Sequence, residues 1–198
     1  MDAEQHAEWQ ALRNEAHAAL CAGDWMLRLG VFPAFHAPEV IGIGTASRRV
    51  VRDRKLRSET LHQLRSRRWS LAEDAEKVRT PVERLRHPRQ LIPTIVTRSV
   101  FVERELIQQY TSPLASISIP AFPMCEAAGT DGVSYTLFTT SFSHTLELRW
   151  WHDHPEQWRP LMAWFDQTRK RLTSILDSAA EVVTHNSQDE SHPARNEQ

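Results

Sequence analysis

The chain has 198 residues, a formal net charge of −1, 40% hydrophobic residues and 25% charged ones. That length and composition suit one domain with its own core, and no apolar run approaches the roughly 18 residues a membrane-spanning helix needs. The near-neutral total conceals an asymmetry. Residues 48–104 carry +9 and the rest of the chain −10, with 21 arginines against 3 lysines.

Taken in chain order, residues 2–21 are predicted as a helix, because Trp9, Leu12, Ala16, Ala19 and Leu20 recur at three- and four-residue spacings. Gly23 stands where helix ends favour glycine. In 25–32, Trp25, Leu27, Leu29 and Val31 alternate with Met26, Arg28, Gly30 and Phe32, the period of a strand. An extended pattern resumes at 39–51. Its Gly42 and Gly44 share a face and predict a bulge or the close approach of another element. The stretch "GIGTAS" lacks both the third glycine of a dinucleotide fingerprint and the Gly-Lys-Ser/Thr of a phosphate loop.

Residues 56–71 mix helical and strand spacings, and the expectation there is a strand at 61–69. Residues 72–92 are polar and punctuated by proline. A structureless loop of that length is uncommon in a compact domain, which marks "TPVERLRHPRQLIP" as a candidate functional segment. Residues 93–102 are β-branched and read as a strand, and "ERELIQQY" follows as a short helix. An extended linker with three prolines spans 112–123. Asp131-Gly132 signals a turn into a hairpin of 133–140 and 144–150. The last helix has Pro155 at its first position and Glu156 in its positive first turn. Trp158, Leu161, Met162, Phe165, Leu172, Ile175 and Leu176 form its apolar stripe. The polar residues 177–198 are expected to form a disordered tail behind a single domain at 1–176. The fold expected is α+β: a mainly antiparallel sheet with the N-terminal and C-terminal helices packed on one face.

The densest chemistry lies in "LELRWWHDHPEQWRPLMAWF", residues 146–165. In a regular strand, Trp150 and Trp151 point to opposite faces. One then enters the core beneath the last helix and the other is left across the sheet or at the turn. Trp158 and Trp164 fall on the helix's buried face and its margin, which leaves Trp151 as the candidate exposed anchor. His152, Asp153 and His154 are consecutive, whereas a metal site needs three or four converging ligands. They are expected to form a solvated turn that caps the helix, with metal binding by His152 and His154 as the lesser alternative. No catalytic residue and no cofactor stands out. There is no GxSxG elbow, and Cys21 and Cys125 sit far apart, expected as reduced thiols.

The arginine-rich middle is the strongest functional hint. Arg84, Arg86 and Arg89, with Trp69 and Trp151, are the candidate partner-binding residues. Arginine and tryptophan are favoured anchors in protein interfaces, so an acidic surface of another protein is the expected partner. Nucleic acid is the lesser reading, because no RRM, KH or helix-turn-helix signature is legible. No membrane partner and no secretory signal are expected, which points to the cytoplasm.

The C-terminal third resembles a group of small, largely uncharacterised bacterial α+β proteins. The residues that carry the resemblance are "DGVSYTL" (131–137), "LELRWW" (146–151), "PEQW" (155–158) and "RPLMAWF" (159–165), with "TPVERLRHP" (80–88) as a second element. The shared pattern itself implies no activity; the chain's small size and general character, with the arginine-rich middle, lead to the expectation of a non-enzymatic protein-binding role, immunity-like or accessory to a toxin or effector system. The alternative is a small hydrolase or nucleic-acid-modifying enzyme whose site is assembled from dispersed histidine, arginine and acidic residues.

Overall fold

The structure, a computed structural model, describes residues 3–34, 36–52, 55–70, 74, 93–120, 132–140, 144–152, 154–179 and 181–185. In chain order these form α1 (Ala3–Cys21), β1 (Trp25–Pro33), β2 (Glu39–Arg52), β3 (Lys55–Trp69), β4 (Ile95–Val102), α2 (Arg104–Leu114), β5 (Val133–Thr140) and β6 (Thr145–Trp151). A 3-10 turn (Glu156–Trp158), α3 (Arg159–Ala179) and β7 (Glu181–His185) complete the described elements. The strands make one antiparallel sheet in the order β6-β5-β1-β2-β3-β4-β7. The fold is α+β, as the pattern of strands, hairpin and amphipathic helix predicted.

The helices do not share a face. On one side, Leu27, Leu29, Ile41, Ile43, Leu64, Leu137 and Trp150 meet Ile107 and Tyr110 of α2 and Leu161, Phe165, Leu172 and Leu176 of α3. On the other, Trp25, Val40, Trp69 and Ile95 meet Leu12, Ala16 and Leu20 of α1. The expectation of both terminal helices on one face is therefore corrected. The central strands carry apolar residues on both sides, Val40 against Ile41 and Ile43, so each face must be covered. A register shift between Trp25 and Leu27 sends these two residues, two apart in sequence, to opposite faces.

Two boundaries also move. β3 starts at Lys55 rather than 61, pairing with β2 from Arg52↔Lys55 to Glu39↔Arg68. The expected tail begins too early, because α3 continues to Ala179 and Glu181–His185 pairs antiparallel with Ile95–Ser99 of β4. The β-branched run Val182-Val183-Thr184 suits that edge position. Residues 186–198 lie outside the described residues.

The end of α1 is held from across the sheet. Gly23, at φ 96°, turns the chain, and the last carbonyls of the helix and of the turn that follows it are collected by side chains of β1 and β3. Arg67 donates to the Ala19 and Ala22 carbonyls at 2.8 and 2.7 Å, Arg28 to Cys21 at 3.1 Å and Arg65 to Asp24 at 3.0 Å. The guanidinium groups of Arg65 and Arg67 also lie over the Trp25 ring, 4.8 and 5.7 Å from its centre. Cations at a helix C-terminus meet its negative dipole end.

Candidate functional site

α1 lies over β2, β3 and β4 and leaves the same face of β5 and β6 beside it as the wall of a cleft of about 870 Å³. The helix side is a stripe at helical spacing, His6, Gln10, Arg13 and His17. The sheet side comes from residues that alternate on two strands, Ser134 and Thr136 on β5 and Arg149 and Trp151 on β6, paired Thr136↔Arg149 and Ser134↔Trp151. Phe32 and the stacked pair Trp9–Trp69, ring centres 5.4 Å apart, supply aromatic surface. His36 stands at the rim, exposed.

The ionisable nitrogen-bearing side chains that line this cleft are all basic in type. Two guanidinium groups and three imidazoles line it, and no aspartate or glutamate does so among the described residues. Arg13 donates to the Ala34 carbonyl at 3.4 Å. Arg149 is held by Glu147 at 3.0 Å, and the same carboxylate oxygen takes Arg28 at 3.3 Å. His17 lies against Phe32, ring centres 4.6 Å apart. Burial, reinforced by Arg149 and Arg28, holds its pKa below the usual histidine value, so the ring is mainly neutral at pH 7. Thr136 is 3% exposed, and its hydroxyl meets no hydrogen-bond partner among the described residues. A buried polar group of this kind carries a desolvation cost that a bound acceptor or donor would relieve.

The predicted residues divide. Trp151 is half-buried and lines the cleft, on the face opposite Trp150, as strand alternation required. Trp69, the other tryptophan among the candidates, is 2% exposed, and its indole donates to Asp74 at 2.6 Å beneath α1, so it forms part of the cleft's floor. Its apolar bulk on a strand face that α1 covers draws it inward. Arg84, Arg86 and Arg89 lie outside the described residues. So do Cys125 and Asp153. His152 and His154 sit in a tight turn, with the His154 amide on the His152 carbonyl at 3.0 Å. No group of three metal-ligating side chains converges among the described residues. Cys21 is half-buried, and burial raises its thiol above the ordinary value, the reverse of an activated nucleophile.

Sequence reasoning missed Arg13, His17, Thr136 and Arg149. The signal for the helical half was present, since His6, Gln10, Arg13 and His17 recur at four, three and four residues beside the apolar stripe. Comparison with protein-family models, curated proteins and solved structures finds no match to this chain.

Proposed function

We propose that the protein is a non-enzymatic binding module that takes an acidic segment of another protein in the cleft between α1 and the β5–β6 edge. One observation carries the reading: the cleft joins Arg13, Arg149 and the Trp151 indole with no carboxylate among its described lining residues. Guanidinium groups recognise carboxylates in a fork geometry, and a half-buried indole adds apolar contact beside them. A volume of about 870 Å³ suits a few side chains of a peptide rather than a flat interface. The immunity-like or accessory role rests on the chain's small size and general character, not on any motif.

The enzyme reading gains one observation, the shared presence of His6, His17 and His36. It lacks a described lining carboxylate to orient one of them, the part an acid plays in a nucleophile–histidine–acid arrangement. The binding reading therefore stands first. Isothermal titration of the full chain with a peptide rich in glutamate and tyrosine, against its glutamine counterpart, tests it. The acidic peptide should bind saturably and lose affinity as salt rises. Trp151→Ala should weaken it by about tenfold with the fold intact. Equal binding of the two peptides, or no effect of the Trp151 change, overturns the proposal.

A further inference from the structure

We propose that β6 is the joint of a homodimer, in which two copies pair their β6 strands antiparallel about Leu148 and merge two sheets into one. β6 ends the sheet, and no strand among the described residues pairs with its outer edge. Exposed edges are ordinarily blunted by like or unpaired charges, above all lysine, by proline, a bulge or brevity, or by a covering element; the charges of β6, Glu147 and Arg149, are instead of opposite sign and two residues apart. This edge runs seven residues in unbroken register with β5, contains neither proline nor lysine, and leaves Leu146 44% exposed.

The chemistry of the edge selects a second copy as its occupant. A two-fold axis through an antiparallel pair stands perpendicular to the sheet, so each strand meets its twin with the same face up. Centring then falls on one residue, and Glu147, Leu148 or Arg149 are the choices that keep the exposed stretch paired. Centring on Glu147 sets Glu147 against its own copy, and centring on Arg149 sets Arg149 against its own; like charges directly opposite are destabilising. Centring on Leu148 sets Glu147 opposite Arg149 of the second copy, twice by symmetry, on the α1 face. On the α3 face it sets Leu148 on Leu148 and the exposed Leu146 opposite Trp150 of the second copy. Trp150 is turned into its own core, so the sequence Leu-Glu-Leu-Arg-Trp at 146–150 is self-complementary in charge at this register, with Leu148 on Leu148 as its apolar contact. Within a single copy Glu147 already holds Arg149, so pairing exchanges an exposed neighbour contact for a cross-strand one. Both isologous contacts are those expected of a closed dimer.

The proposal shares Arg149 with the cleft reading but does not depend on it, and its test reads mass rather than ligand. Sedimentation velocity of the full chain, diluted from the solubility limit to the micromolar range, should show a monomer–dimer equilibrium that salt shifts toward monomer. Glu147→Arg alone and Arg149→Glu alone should each weaken dimerisation by roughly tenfold or more, since each sets like charges opposite one another. Mixing the two single variants should restore a dimer, because arginine then faces glutamate at both positions. The doubly reversed chain, Glu147→Arg with Arg149→Glu, should restore it by itself, and it carries the test where a single reversal fails to fold. The inference is overturned if the wild-type chain stays monomeric throughout. It is equally overturned if the single reversals dimerise as the wild type does, or if neither the mixture nor the double reversal regains the dimer.

Discussion

Trp158 shows how one side chain ties the two halves of the C-terminal region. Its ring meets Trp150 of β6 edge-on, with centres 6.0 Å apart, and Trp150 in turn stacks on Tyr135 and meets Phe165. The side chain is 7% exposed, yet its indole N–H finds no acceptor among the described residues. Two substitutions separate these contributions. Trp158→Ala removes ring and contacts together and should cost about 3–5 kcal/mol. Trp158→Phe keeps an aromatic ring and removes a donor that gains nothing from being there, so it should cost roughly 1–2 kcal/mol. Urea melts of both variants check the ordering. Equal losses would mean that the indole N–H is satisfied and that its bond, rather than the ring, anchors the turn. Trp164 is the contrasting case, since its indole donates to the Tyr110 carbonyl at 3.1 Å and pins α3 to α2.

Among the elements, those whose apolar period was uninterrupted were legible in the sequence, and those that carry cations at inward positions were not. The stripe of α3 and the β5–β6 hairpin were found because Leu161, Phe165, Leu172 and Leu176, or Leu137 opposite Leu148, keep the expected spacing. β3 was read only in part. On its α1 face Arg65 and Arg67 occupy positions where a buried strand would carry apolar residues, and they do so because they reach over Trp25 to the end of α1. No local pattern encodes that reach. The cleft suffered the same fate, because Arg13 and Arg149 are brought together only by the placement of α1 on the sheet. The paired glycines of β2, by contrast, announced a close approach correctly. A Cβ on Gly42 would collide with the Leu27 carbonyl oxygen and lie 2.9 Å from the Arg28 Cα across the β1–β2 pair. Neither neighbour is the flexible end of a side chain. Gly42→Ala should therefore push the two strands apart and cost about 2 kcal/mol, read as a lower urea midpoint with an unchanged slope. An unchanged midpoint would show that the β1–β2 pair relaxes freely at that point.

Across the whole molecule, the arginines fall into two populations, and this division resolves part of the charge asymmetry between the middle of the chain and the rest. Arg65 and Arg67 cap α1 and lie over Trp25, and Arg98 reaches Asp177 of α3 at 2.7 Å. Those members of the basic middle segment serve the fold. Arg13 and Arg149 come from outside that segment, yet they supply the cations of the cleft. The two populations should respond oppositely to removal. Changing Arg65 and Arg67 together to alanine deletes several hydrogen bonds to carbonyls and two cation–ring contacts, at a cost of roughly 2–4 kcal/mol. The folded protein that remains should bind the acidic peptide as the wild type does. Changing Arg13 and Arg149 together should leave stability within about 1 kcal/mol, because Arg149 is an exposed partner whose Glu147 keeps Arg28. Affinity for the acidic peptide should fall, mainly through slower association, and the remaining affinity should depend less on salt. A urea melt beside a stopped-flow binding measurement for each double variant reads both quantities. If the cleft pair destabilised as strongly as the cap pair while peptide association stayed unchanged, the arginines of the cleft would belong to the fold as well, and the acidic partner would have to be sought on another surface.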